Sequence, residues 1–425
     1  MDKCRHMLRV LIYGINYTPE PTGTGKYTGE MASWLATRGH EVHAIVSHPH
    51  YPRWQVDKQY GARGWFVETV EGVQVYRTPL YVPPAKKADA KRRILLETSF
   101  TLASLRWWLP LLLSQRTFDV AVAVGPPLQS AFMARLYCQL RNVPWVLHLQ
   151  DLQVDAALQL GMLRADFFGR LLCSIEEILL RQATSVSTIS ETMRHRVLVK
   201  GVDQQKAFLF PNWADTDLIR PMEPSNALRE SLGAAPGDVL VLYSGNMGEK
   251  QGLELIVKAA ERLRSTRELK FALVGAGSAR SRLAEMLQSK ALDNLVLLDL
   301  FPQNMLPHLL AAGDIHLIVQ RPEAADLVMP SKLCNVLAAG RPIIATAAEG
   351  TALFQLVAES GAGIVVPPAD LEALVSAVQL LRSDRQARKR LGNCARLYAE
   401  TYLQKDTILG AFESTLKDLV AKRRS

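Results

Sequence analysis

Ten residues, YSGNMGEKQG (243–252), place three glycines and a lysine between an apolar run, Val239–Tyr243, and an apolar-periodic stretch, Leu253–Leu263. Gly245, Gly248 and Gly252 permit close backbone approach or positive φ. A helix beginning near Gly252 presents unpaired N–H groups and a partial positive charge, and Lys250 adds a full one. Such a turn can hold a diphosphate. The same glycines also suit a plain strand–helix connection.

Three further stretches could belong to the same chemistry. FALVGAGSAR (271–280) reads strand, G-x-G, helix, with Arg280 where a dinucleotide fingerprint has its third glycine. Gly275 either joins a second loop around the ligand or serves tight packing. Pro330-Ser331 opens a helix on which Ser331 can cap, Lys332 can reach an anion and Asn335 shares the face of Ser331. His148, Gln150, Asp151 and Asp155 cluster where the run VLHLQDLQVD leaves a strand. His148 and Gln150 share a face there, which suits either catalysis or a buried histidine followed by a helix-capping aspartate.

PEPTGTGKYTGE (19–30) carries Gly23, Gly25, Lys26 and Tyr27. It fails G-x-x-x-x-G-K because Glu20 stands at the first glycine, and fails G-x-G-x-x-G because position 28 is Thr. No acidic residue ends the second strand, so ATPase and NAD-type readings fall away. A flexible loop facing a cleft is expected instead. Asp215-Thr216-Asp217 lies in a linker and is read as linker chemistry, not a metal motif.

The elements that position these residues alternate from end to end. Strands are expected at 8–14, 41–46, 73–78, 118–124, 145–149, 184–188 and 206–210, then at 238–244, 269–274, 294–298, 315–319, 342–346 and 363–366. Amphipathic stretches lie between them, and 384–424 is charged, helical and without strands. Continuous apolar strands separated by helices predict buried parallel sheets. Two such series predict two Rossmann-like, doubly wound α/β domains facing a cleft, with chemistry on loops after strands. The boundary falls near FPNWADTDLIRP (210–221), giving domains 1–211 and 212–395 and a final helix, 396–425. A chain of 425 residues suits two domains of roughly 200 each.

Composition narrows the class. The chain is 48% hydrophobic and 21% charged, which excludes wholesale disorder. Its five cysteines show no C-x-x-C spacing, which argues against a zinc site or disulfide framework and for a cytoplasmic, reducing setting. The first apolar run is too short for a signal-peptide core, and Glu97, Arg106 and Pro110 interrupt the most membrane-like stretch, 94–113. Net charge is +9, and residues 85–116 carry seven Lys/Arg against Asp89 and Glu97, interleaved with Trp107, Trp108 and leucines. This segment is expected to touch an anionic membrane surface peripherally. No aromatic platform or recognition motif points to nucleic acid.

GINYTPEPTGTGKYTGEMASWLATRGHEV, HYPRWQV, PLYVP, LHLQDLQVDA, SVSTISETM, FPNWAD, LYSGNMGEKQGLE and MPSKLCNVLAAGRP occur in that order. Together they closely resemble the colanic acid biosynthesis fucosyltransferases of glycosyltransferase family 4. The resemblance implies a GT-B fold whose last helix crosses back to the first domain. It implies metal-independent, retaining transfer from a nucleotide sugar, GDP-fucose above all, to a lipid-linked oligosaccharide at the inner face of the plasma membrane, in exopolysaccharide biosynthesis. Gly245, Asn246, Lys250 and Gln251 match the family's diphosphate loop. Ser331, Lys332 and Asn335 match its phosphate- and ribose-contacting helix, and Gly275 lies on the donor side. Gly23 and Gly25, with Lys26 and Tyr27, match the acceptor-side loop, and His148 and Asp151 the catalytic segment. Departures are visible. The broad pattern has Arg at Asn246 and Lys at Gln251, and its paired glutamates fall on Leu327 and Asn335; Asp326 is the replacement candidate. A GT-B nucleotide-sugar epimerase, or a non-catalytic nucleotide-binding subunit of a polysaccharide assembly, are the alternatives.

Overall fold

The computed structural model describes residues 7–21, 23–61, 63–84, 90–159, 167–322, 330 and 332–424. The chain divides into two compact units, Met1–Pro211 with Asp406–Ser425, and Asn212–Lys405.

In the first unit the order is β1 (Arg9–Tyr13), α1 (Gly23–Thr37), β2 (Glu41–Ser47), α2 (Lys58–Gly61), β3 (Phe66–Val70), β4 (Val73–Thr78), α3 (Ala90–Leu113), β5 (Val120–Gly125), α4 (Leu128–Arg141), β6 (Trp145–Leu149), α5 (Gln153–Gln159), α6 (Phe167–Gln182), β7 (Ser185–Thr188), α7 (Glu191–Val199) and β8 (Ala207–Leu209). The sheet runs β3-β4-β2-β1-β5-β6-β7-β8. Every pairing is parallel except β3 with β4. β5 and β6 are buried at every residue, as a strand covered on both faces must be.

In the second unit the order is α8 (Asn226–Ser231), β9 (Val239–Asn246), α9 (Glu254–Arg262), β10 (Leu269–Ala276), α10 (Arg280–Lys290), β11 (Leu295–Leu298), α11 (Leu306–Ala312), β12 (Ile315–Ile318), α12 (Lys332–Ala338), β13 (Ile343–Thr346), α13 (Ala352–Ser360), β14 (Gly363–Val366), α14 (Leu371–Ser383) and α15 (Arg385–Tyr402). Its all-parallel sheet runs β11-β10-β9-β12-β13-β14. Strand order reverses between β1 and β5 in one sheet and between β9 and β12 in the other. Ligands of doubly wound sheets bind outside the strand ends at such points.

Three sequence expectations need correction. β3 was not among the expected strands. It is an antiparallel edge strand whose side chains alternate between partly buried and exposed, so it lacks a continuous apolar run. The charged tail is two helices, α15 and α16 (Lys405–Arg424), separated at Leu403-Gln404, where Gln404 bridges Ala214. Residue 395 lies inside α15, and the compact units part at Lys405.

An aromatic stack and an ion cluster are among the contacts that join α16 to the rest of the first unit. Phe412 stacks on Phe210 at 4.0 Å, and Phe210 in turn packs on the His148 ring at 4.9 Å. Glu413 accepts from His40 Nε2 at 3.0 Å and Lys417 Nζ at 2.5 Å and pairs with Arg38 at 3.3 Å. Burial pushes the Glu413 carboxyl up, but hydrogen bonds from Lys417 and His40 outweigh it and hold it below the usual carboxylate range. Phe412→Ala should destabilise the first unit by about 3–5 kcal/mol, the cost of truncating a buried phenylalanine, measured by denaturant unfolding. An unchanged midpoint would mean that the stack contributes nothing.

Candidate functional site

The end of β9 is built around a close backbone approach. Gly245 and Gly275 are register partners on β9 and β10, and a Cβ on Gly275 would fall on the Gly245 carbonyl oxygen. Gly245 itself has φ +138, which suits glycine alone. The turn that follows is held by Met247 N donating to Ala276 O at 2.8 Å, Ala279 N to Met247 O at 2.8 Å, and the Tyr243 hydroxyl to Asn246 O at 2.6 Å. The Gln251 side-chain oxygen accepts from Gly248 N at 3.0 Å. A 3-10 turn, Glu249–Gln251, comes next, then Gly252 at φ +63. α9 starts at Glu254, just past Gly252, near where the sequence placed a helix start.

Lys332 reaches this turn from the first residue of α12. Its Nζ lies over the Tyr243 ring at 3.2 Å from the centroid and donates to the Leu317 carbonyl at 3.3 Å. Its stem passes 3.4 Å from where a Gly245 Cβ would stand. Burial pushes its pKa well down, while the ring face and the carbonyl favour the ammonium. One turn along α12, buried Asn335 has its side-chain oxygen unsatisfied. Ser331 and Asp326, with Glu323 and Leu327, lie outside the described residues.

Arg321, just past β12, was not singled out from the sequence. Its backbone N–H donates to the Lys250 carbonyl at 2.9 Å, and its stem fills the space that a Gly252 side chain would need. Its guanidinium pairs with Glu254 at 3.3 Å and Glu249 at 3.7 Å, and Arg282 bridges the same two carboxylates. The adjacency of β9 and β12 was the available signal, since it puts the loops after both strands side by side.

In the first unit, Gly23–Tyr27 is not a loop. It forms the first turn of α1, opened by Gly23 at φ +65. Tyr27 is buried, and Lys26 leans 3.7 Å from Glu30 and over the Tyr27 ring. The turn rests on Glu20, the residue that breaks the P-loop pattern. Buried Glu20 accepts from the backbone N–H groups of His50 and Tyr51, both at 3.0 Å, and from Asn16 at 2.8 Å. A Cβ on Gly25 would strike its side chain. Glu20 thus ties the start of α1 to the segment after β2.

At the end of β6, the Gln150 amide donates to His148 Nε2 at 2.8 Å, so Nδ1 carries the ring proton and donates to Ser187 Oγ at 3.0 Å. Complete burial lowers the His148 pKa to about 3, so the ring is neutral at physiological pH. It can orient Gln150 but does not supply a cation or an acid. Asp151 is half-buried in the turn before α5. Asp215, in the linker, accepts from Leu218 N at 2.9 Å. Among the described residues, no group of three His, Cys, Asp or Glu is placed to share a metal ion.

Residues 22–213 match the model of the glycosyl transferase 4-like domain, and residues 238–384 that of glycosyl transferases group 1. The colanic acid biosynthesis glycosyl transferase WcaI of Escherichia coli K12 is 40% identical over 96% of this chain and 100% of its own. The chain belongs to glycosyltransferase family 4. Among solved structures, the sucrose-phosphate synthase of Thermosynechococcus elongatus superposes with a TM-score of 0.73 at 18% identity, covering 97% of this chain and 100% of that one. The HepE protein of Anabaena, solved with UDP-glucose, does so at 0.71 and 15% identity, covering 97% and 100%. At those identities the likeness speaks for the fold alone, that of the GT-B glycosyltransferases.

Within this transferase, Gly245, Asn246, Gly275 and Lys332 meet at one strand end, with Lys250 and Gln251 in the adjoining turn. Gly275 owes its identity to strand packing. Gly275→Ala should therefore displace the Gly245–Met247 turn, lowering both the melting temperature and nucleotide-sugar affinity at least about tenfold, as overpacking against fixed backbone does. Wild-type affinity by titration calorimetry would show that the close approach is dispensable.

Proposed function

We propose that this glycosyltransferase transfers a hexosyl unit, with retention of configuration, from a nucleoside diphosphate sugar to a lipid-linked oligosaccharide during exopolysaccharide assembly. GDP-fucose is the proposed donor and a colanic-acid-like polymer the proposed product; the 40% identity to a colanic acid biosynthesis glycosyl transferase supports the product, not the donor. The observation that carries donor binding is the pairing on α12 of a half-buried lysine, whose stem passes the glycine-lined strand end, with the unsatisfied oxygen of Asn335. A diphosphate suits the first and a ribose hydroxyl the second.

In this mechanism the bond from the anomeric carbon to the diphosphate oxygen breaks while the acceptor oxygen bonds to the same face of that carbon and its hydroxyl proton passes to the departing diphosphate. The leaving diphosphate gains negative charge. Lys250 and Lys332 meet that charge most strongly in the transition state, which lowers the barrier. Charge compensation by the chain's own cations, without a metal, is part of the proposal. Neutral His148 holds Gln150, and Asp151 orients the acceptor hydroxyl. No helix among the described residues is long and apolar enough to cross a membrane, and peripheral contact at the inner membrane face through 85–116 completes the reading. Lys86, Lys87 and Asp89 of that segment lie outside the described residues.

Lys250→Ala and Lys332→Ala should each lower the transfer rate by about 10–1000-fold, the range for losing one preorganised donor group. Full turnover in both variants, assayed with radiolabelled donor and membrane extract, would remove the diphosphate assignment. The depressed Lys332 pKa adds a pH signature. A diphosphate beside Nζ favours the charged form, so a pKa depressed in the free protein rises in the complex and donor binding takes up a proton. Affinity should then fall as pH rises between the two values. Calorimetry in buffers of different ionisation enthalpy measures that uptake, which Lys332→Met should abolish; equal heats in all buffers for the wild type would contradict it.

A further inference from the structure

The first unit exposes apolar side chains on three adjoining helices. α4 packs against α3 on one side and α6 on the other. Along α3, Leu96, Phe100, Ser104 and Trp108 recur every four residues and are buried, so that face is turned inward. The opposite face carries Leu102 and Leu109, 61% and 59% exposed. On α4, Phe132 and Leu140 are 51% and 64% exposed; on α6, Leu171 and Ile178 are 44% and 51%. Each pair is about two turns apart, so each lies along one side of its helix. Scattered exposed apolar residues need no explanation, but a layer drawn from three neighbouring helices does.

Cations are spread over the same helices, while their acids are held in hydrogen bonds or ion pairs. Exposed Lys91, Arg106 and Arg170, with half-buried Arg135, are distributed across all three. α4 contains no acidic residue. The acids of the other two are already engaged. Glu97 accepts from Gln153 at 2.6 Å, Glu176 is buried against Lys200, and Glu177 pairs with Arg181 at 3.1 Å. An apolar face bordered by unopposed cations complements a surface with acyl chains beneath anionic headgroups.

We infer that the outer layer formed by α3, α4 and α6 seats on an anionic bilayer, so that the docking surface is three helices wide and not confined to residues 85–116. The inference rests on the membrane reading above and extends it to α4 and α6. α3 starts after β4 and runs back along the sheet, so its Lys91–Arg93 end lies towards the carboxyl ends of the strands. There Arg93 stacks over Trp54 at 5.4 Å, in the segment after β2. The cationic end of the layer therefore lies on the side of the sheet that carries Gly23–Tyr27 and Asp151. A lipid-linked acceptor held in the bilayer meets the enzyme there.

Flotation of the full chain with vesicles of phosphatidylcholine, with and without phosphatidylglycerol, tests this. The wild type should float with the anionic vesicles, less at high salt, and stay behind with phosphatidylcholine alone. Phe132→Asp with Leu140→Asp on α4 should cut vesicle affinity at least about tenfold, since two apolar contacts are lost and two like charges added. The melting temperature and the slow hydrolysis of donor in water should be unchanged. Arg135→Glu with Arg170→Glu, on α4 and α6 and so outside 85–116, should weaken binding similarly and keeps the test decisive if the α4 pair misfolds. If Leu102→Asp with Leu109→Asp on α3 abolishes flotation while the α4 and Arg170 variants float normally, the three-helix layer is overturned and the 85–116 reading survives. If the wild type does not float at all, both fall. If the wild type is a dimer in solution that the α4 pair dissociates, the face joins two copies of the chain and the inference is overturned.

Discussion

A parallel sheet covered on both faces leaves few places for polar chemistry, and both units of this chain accept that constraint. β5, β6, β7, β12 and β13 are buried at every position, so a charged or titratable group along them is desolvated. His148 on β6 and His316 on β12 are both held neutral by burial, with pKa values near about 3. Past the strand ends the backbone opens and polar side chains regain water and hydrogen-bond partners. Gly245, Lys332, Glu20, Asp151 and Arg321 all sit at or just past those ends. The site is where it is because the sheet forbids it elsewhere.

The same constraint explains how charge is handled at the donor turn. Lys332 is half-buried and desolvation lowers its pKa, yet the Tyr243 ring face and the Leu317 carbonyl give its ammonium partial compensation without neutralising it with a carboxylate. A carboxylate partner would lower the cost of burial but would also repel the diphosphate. The neighbouring cations are treated differently. Arg282 and Arg321 are committed to Glu249 and Glu254, a set of two cations and two anions that brackets the 3-10 turn and start of α9. Lys250 has no ion-pair partner among the described residues. Cations without and with carboxylate partners thus stand side by side, the latter fixing the loop.

The first unit solves a related problem with a carboxylate. Glu20 is buried, but both its oxygens accept hydrogen bonds, two of them from backbone N–H groups of the segment after β2. A satisfied buried acid is a rigid junction, whereas one left unsatisfied is a liability. The junction fixes the first turn of α1 against His50 and Tyr51. From the far side, Phe412 on α16 supports Phe210 and so His148. The last helix of the chain therefore braces the strand whose carboxyl end carries the candidate acceptor-side groups.

Sequence alone settled the alternation of apolar runs and amphipathic stretches, and with it two doubly wound units and the placing of the glycine turn at 243–252. These were legible because burial on both faces writes an uninterrupted apolar run into each inner strand, whereas the edge strand β3, open on one side, left no such mark. The sequence also named Lys332 and Asn335, from a helix start at Pro330-Ser331 where a lysine can reach an anion and Asn335 shares the face of Ser331. Tertiary structure decided what those residues are. It turned Gly23–Tyr27 from a loop into a helix start and assigned Gly275 to strand packing. It made His148 a neutral support and brought Arg321 to the glycine turn through the neighbouring strand. It also separated Leu96 of α3, which faces inward, from Leu102 and Leu109, which face outward. The physical reason is common to all five. Hydrophobicity and spacing are properties of a segment, whereas desolvation, close approach and exposure depend on which other segments arrive beside it.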